Sequence, residues 1–121
     1  MRPAAYVLIL ALTSATQCWA TEKVSTAAFM LPYCKMGLAN SSDPNWYEPL
    51  CYGTVEALSY VGSRLATETR FCAPNDLTPE LALRVVIGYV EARRNRLQEN
   101  FKELALEAFR DAWPCADAPK K

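Results

Sequence analysis

Apolar residues recur along most of this chain at the three- and four-residue spacing of amphipathic helices, and few segments alternate for long enough to make a strand. The pattern predicts an all-α domain, a small bundle of about four helices. A first short helix covers "STAAFMLPYCKMGL", Ser25 to Leu38, with Pro32 either bending it or marking a late start and Gly37 near its end. The Asn, Ser, Asp and Pro residues of "ANSSDPNWYEP" then mark a loop, the longest break in the pattern. A second helix runs from about Pro49 to Ala66, with Cys51, Val55, Leu58, Gly62 and Leu65 on one face and Tyr52 and Tyr60 off that stripe. Gly53 and Gly62 each weaken such a helix by about 1 kcal/mol relative to Ala. Close approach of another backbone would explain them, and simple tolerance is the alternative.

The third helix has the clearest start, because Thr78 can cap it, Pro79 suits its first turn and Glu80 favours its positive end. From Leu81 to Val90 nearly every residue except Arg84 and Gly88 is apolar, so this helix is expected to be covered on most sides. Asn95 with Gln98 three positions on reads as the cap of a fourth helix, whose buried stripe is Leu97, Phe101, Leu104, Ala105, Ala108 and Ala112 and whose end is Pro114.

The N-terminus changes the picture. "MRPAAYVLILALTSATQCWA" carries Arg2, an apolar run from Tyr6 to Leu12 and small or polar residues up to Ala20, the layout of a secretory signal peptide cleaved after Ala20. Gln17 stands before Cys18, where a lipidated Cys normally follows a small residue. The run is too short for a bilayer span, and no second one follows, so no membrane association is expected after cleavage. Residues 21–121 then form one domain with a modest core, carrying 12 basic against 13 acidic residues. That balance offers nothing to nucleic acid or an anionic membrane. Asn40-Ser41-Ser42 matches a glycosylation sequon, a triplet that arises often by chance.

Four cysteines remain after cleavage, Cys34, Cys51, Cys72 and Cys115, and an even number in a small exported chain points to disulfides. With neither a CxxC spacing nor any histidine, structural zinc has little support and no metal or cofactor is expected. Helices three and four, of similar length and joined by a tight turn, should lie antiparallel, so the residue before the third meets the residue after the fourth and pairs Cys72 with Cys115. The same reasoning pairs Cys34 with Cys51. Four cysteines allow three pairings; loop closure in this one contributes about 3 and about 4 kcal/mol, a large share of the roughly 5–15 kcal/mol of a small domain.

The lack of histidine also removes Ser-His, Cys-His and His-metal catalysis. Glu99, Glu103, Glu107 and Asp111 form a ladder at four-residue spacing, which reads as a solvated face relieved by Lys102 and Arg110 more readily than as an acid pair. Arg93, Arg94, Asn95 and Arg96 crowd the turn between helices three and four and are the candidate partner-binding residues. Guanidinium groups on a protruding turn suit an acidic surface, and the bland alternative has Arg93 and Arg94 at the helix C-terminus. Trp46 and Trp113 read as core or rim aromatics.

"FCAPNDLTPELALRVVIGYVEA", "ALEAFRDAWPC" and the helix opening with "CYG" at Cys51 together resemble the Rap/Tai family of immunity proteins, small exported helical proteins that neutralise peptidoglycan-cleaving amidases delivered by bacterial type VI secretion. Thr54 and Ala57 stand where that family often has Tyr and a second Gly, and Asn95-Arg96 where it often has a Pro opening the last helix. The resemblance implies a periplasmic inhibitor with no chemistry of its own that occludes an amidase cleft, in several cases as a homodimer. A general periplasmic binding or stress protein, such as an acid-protective chaperone, is the alternative, and a small-molecule carrier with an apolar cavity is a third reading.

Overall fold

In the computed structural model, residues 24–39 and 47–116 are described. The expected signal segment 1–20, the sequon at Asn40 and Trp46 lie outside them. Among the described residues, four α-helices follow in order: α1 Ala27–Leu38, α2 Tyr47–Val61, α3 Pro79–Glu91 and α4 Phe101–Ala112, with single 3-10 turns at Gly62–Arg64 and Arg94–Arg96. There is no strand among the described residues, and the one β-bridge pairs Thr26 with Asn100. The all-α expectation stands.

Helix α1 starts where Thr26 accepts a hydrogen bond from the Phe29 N–H, and it continues through Pro32. Two of its free first-turn N–H groups are satisfied from outside the helix: Ala27 donates to the Glu99 carbonyl at 3.0 Å and Ala28 to the Leu97 carbonyl at 2.7 Å. The start of α1 is thereby fixed to the segment before α4. Helix α2 buries Cys51 and Val55 and stops at Val61, short of the expected Ala66, in a 3-10 turn. Gly62 stands at that point, and a Cβ there would collide with the ring of Phe71, which is fully buried, so the position admits no side chain. The neighbour that requires the glycine is thus an aromatic ring, whereas Gly53 has nothing within 4 Å of where its Cβ would be.

Helix α3 begins as expected, with Thr78 accepting from the Leu81 N–H at 3.2 Å and Pro79 in the first turn. It buries Ala82, Leu83, Val86, Ile87 and Val90. Helices α1, α2 and α4 cover it on most sides, as expected, and Leu81, Arg84 and Gly88 form one exposed line along it at three- and four-residue spacing.

Helix α4 also begins later than Asn95. Its cap is Asn100, whose side chain accepts from the Lys102 N–H at 3.0 Å, and Asn95 lies in the preceding 3-10 turn. The buried stripe is Phe101, Leu104, Ala105, Ala108 and Phe109. Leu97 is half-buried ahead of the helix, and Ala112, expected inside, is exposed because the chain leaves the helix at Trp113 and Pro114. Helices α3 and α4 pack antiparallel over one core with α1 and α2 against them.

Both expected disulfides are present, Cys34–Cys51 with Cα atoms 5.4 Å apart and Cys72–Cys115 at 5.0 Å. The second is seconded by a backbone bond from the Cys72 N–H to the Trp113 carbonyl at 2.9 Å.

The two glycines of the second helical segment are expected to respond with opposite signs. Gly53→Ala gains about 0.5–1 kcal/mol from helix propensity, and Gly62→Ala loses about 1–3 kcal/mol through displacement of Phe71. Urea unfolding of the oxidised variants measures both, and equal signs would contradict the packing described.

Candidate functional site

The hairpin of α3 and α4 turns through residues 92–100, and a charged network braces this turn from beneath. Arg96 donates through Nε and Nη2 to the two carboxylate oxygens of Glu99, at 2.8 and 2.6 Å. Its Nη1 and Nη2 donate to Glu107 at 2.6 and 3.0 Å. The Tyr89 hydroxyl donates to the same Glu107 at 2.8 Å, so residues from α3, the turn and α4 meet on one carboxylate. Above Tyr89 lies Arg93, its guanidinium 3.5 Å from the ring centroid and its Nη1 donating to the Tyr89 carbonyl at 3.2 Å.

The electrostatics follow from these contacts. The hydrogen bonds from Arg96 pull the Glu107 carboxyl down to about 2 against the opposing effect of burial, with Tyr89 and the field of Arg110 adding to the depression. The same partner holds Glu99 below its usual range, and Arg96 is pushed above its own. Burial, then the bond to Glu107, raises the Tyr89 phenol.

The four candidate residues therefore divide. Arg93 and Arg96 are committed to the hairpin, Arg93 at the C-terminal end of α3 as the bland alternative supposed. Arg94 and Asn95 sit exposed at the apex, and their side chains make no hydrogen bond or ion pair to any described residue. Arg94 borders a shallow cleft of about 390 Å³ whose other walls are Leu31, Pro32, Lys35, Glu91 and Leu97, where Lys35 and Glu91 form an ion pair at 2.7 Å. That ion pair, more than Arg94, lowers the Glu91 carboxyl.

The acidic ladder is relieved mainly by Arg96, with the expected Arg110 adding its field at Glu107. Arg96 neutralises Glu99 and Glu107, while Arg110 spends its Nη1 on the Glu68 carbonyl at 2.8 Å. No cluster of potential metal ligands occurs among the described residues. The most perturbed carboxyl is shifted down, away from the range in which a carboxyl exchanges protons at neutral pH, so the network suits holding a shape better than moving a proton.

A second concave surface lay outside the sequence reading. A groove of about 880 Å³ runs between α2 and the segment leading to α3, lined by Gly53, Ala57, Tyr60, Phe71, Pro74 and Leu77 among others. Tyr60 is 70% exposed on its rim, with Arg64 over the ring at 4.5 Å and hydrogen-bonded to the Tyr60 carbonyl at 2.9 Å. The only signal for it was that Tyr60 fell off the buried stripe.

A family model described as Rap1a immunity proteins matches residues 26–115, which takes in all four helices and both disulfides. No curated protein and no solved structure matches the chain.

Because the folded Glu107 carboxyl lies near 2, below its ordinary value of 4.5, its contribution to stability is complete above that ordinary value and disappears as pH falls through the folded one. Glu107→Gln is expected to cost about 1 kcal/mol at neutral pH and to flatten the loss of stability between those two pH values. Arg96→Ala lowers the unfolding midpoint in the same sense, whereas Arg94→Ala stays within about 0.5 kcal/mol. Thermal unfolding of the three variants across this pH range checks the division of the turn into braced and free arginines.

Proposed function

This chain belongs to the Rap1a immunity protein family, and we propose that it is a periplasmic immunity protein that binds a peptidoglycan amidase delivered by type VI secretion and blocks it by occluding its cleft. The family match carries this reading. Export through the N-terminal segment with cleavage after Ala20 belongs to the same proposal, and two disulfides suit that compartment. Inhibition needs no catalysis: a protein without histidine works here as a shape.

The turn between α3 and α4 supports occlusion because it is ordered before any partner arrives. Its carbonyls are tied to α1 and its underside to Arg96, so little freedom is lost when it docks. Arg94 and Asn95 are the part left over for a partner, and the charge of Arg94 favours an acidic surface around the amidase cleft. Arg93 and Arg96 then act on the partner only through the shape they hold. The acid-protective chaperone reading draws no support from this network, since its key carboxylate stays charged far into the acid range.

The test uses the oxidised chain from Thr21 to Lys121, tagged, against secreted and periplasmic proteins of the source strain. Recovery of one amidase at stoichiometric level, with its peptidoglycan cleavage abolished by the added chain, is the expected result. Sizing of the free chain beforehand reports whether it acts as a homodimer. Replacing Arg94 and Asn95 together by Ala should weaken inhibition about tenfold or more without altering stability. Unchanged inhibition would move the contact surface elsewhere, and recovery of many unrelated proteins at low pH would overturn the immunity reading in favour of a chaperone.

A further inference from the structure

The two disulfides differ in how an external thiol can reach them. Cys34 and Cys51 lie inside helices α1 and α2 and are 1% and 0% exposed, sealed within the core. Cys72 is exposed in the irregular segment before α3, while its partner Cys115 is only 7% exposed. Thiol–disulfide exchange proceeds by attack of a thiolate on one sulfur, so access to that sulfur decides which bond reacts. We infer that Cys72 is a thiol-exchange site, at which an external thiol or exported dithiol opens the Cys72–Cys115 bond while Cys34–Cys51 stays closed.

The step balances without further reagents. The external thiolate attacks Cys72 Sγ, the bond to Cys115 breaks, and its electron pair leaves on Cys115 Sγ, which takes up a proton. A second external thiolate then attacks the external sulfur of the mixed disulfide and releases Cys72, protonated to the thiol. Two external thiols become one disulfide, and the protein disulfide gains two electrons.

Opening is local because other contacts hold the same junction. The residue before Cys72 is Phe71, fully buried, with its ring 5.0 Å from that of Phe109 and against Gly62. The Cys72 N–H keeps its bond to the Trp113 carbonyl, and Trp113 stacks on Phe109 at 5.4 Å. What is freed lies on the other side of Cys72, where Ala73, Pro74 and Asn75 form a wall of the groove that carries Tyr60. The arginine turn is at the far end of α3, whose 13 residues span about 20 Å, so exchange loosens the groove and leaves the turn as it was. Exchange at Cys72 does not depend on what the chain binds.

The experiment uses the mature chain with both disulfides formed and reduced glutathione as the only thiol. Samples are quenched in acid, free thiols are labelled with N-ethylmaleimide, and peptides are assigned by mass spectrometry. Glutathione is expected on Cys72 and the label on Cys115, at least about tenfold faster than any reaction at Cys34 or Cys51. With dithiothreitol in place of glutathione, Cys72 and Cys115 take the label together, the near-ultraviolet circular dichroism persists, and amide signals from Ala73 to Leu77 shift while those of Arg94 to Leu97 do not. Equal rates at all four cysteines would mean that only global unfolding exposes them and would overturn the inference. So would glutathione on Cys115, earlier opening of Cys34–Cys51, or a Cys72–Cys115 bond inert to thiols in the folded chain.

Discussion

The ring of Phe71 occupies the space that a side chain on residue 62 would need, and much of the molecule is arranged around that exchange of a side chain for a ring. The ring is entirely out of water and meets Phe109, while the Phe71 N–H points to the Gly62 carbonyl at 3.4 Å. Burying a side chain of this size contributes about 1.5–3 kcal/mol. Its position matters more than its area. The same contact lies where α2 gives way to the irregular segment before α3, and the ring packs that junction against Phe109 of α4. Cys72, next along the chain, is thereby delivered to Cys115. The groove lies beside this anchor, with Phe71 itself in its lining.

The α3–α4 hairpin is closed at both ends, by different chemistry. At the Phe71 end the closure is covalent and apolar. At the other end it is ionic: a guanidinium shared between two carboxylates, one of which also accepts from a tyrosine. Isolated exposed ion pairs contribute little, but bidentate, mutually bonded groups in a half-buried site contribute more and fix geometry as well. One end therefore answers to thiols and the other to acid and salt. The separation means that loosening one surface need not disturb the other.

Much of this architecture was legible in the chain. The Thr78-Pro79 start, the antiparallel hairpin and both cysteine pairings follow from local signals and one geometric argument, since helices of matched length bring their outer ends together. The failures share a cause. The end of α2 was placed at Ala66 because a glycine at the close of an apolar stripe looks the same whether a backbone or a distant ring approaches it. On α3, Arg84 and Gly88 stand out in the chain as exceptions, but Leu81 does not, since it is apolar yet exposed, as apolar residues often are on surfaces. Asn95 was taken for a cap because it stands three residues before a glutamine. Asn100 serves instead, since its position lets Leu97 and Glu99 offer their carbonyls to α1. Propensity counts neighbours along the chain, and each of these outcomes was decided by a neighbour across space.

The same difference decides which arginines of the turn are free. Had α4 begun at Asn95, Arg96 would have lain in its first turn with a 3.6-residue period beneath it. The chain instead forms a 3-10 turn over Arg94–Arg96, closed by the Arg96 N–H on the Arg93 carbonyl at 2.8 Å. Three residues per turn place positions 93 and 96 on one side and push 94 and 95 to the other. The inward pair finds Tyr89 and Glu107 waiting, on α3 and α4. A run of basic residues that looks uniform in sequence is thereby sorted by backbone period into a scaffold and an exposed tip. The scaffold is rigid because its charges are spent inside the molecule, and the charge of Arg94 at the tip stays outside for the same reason.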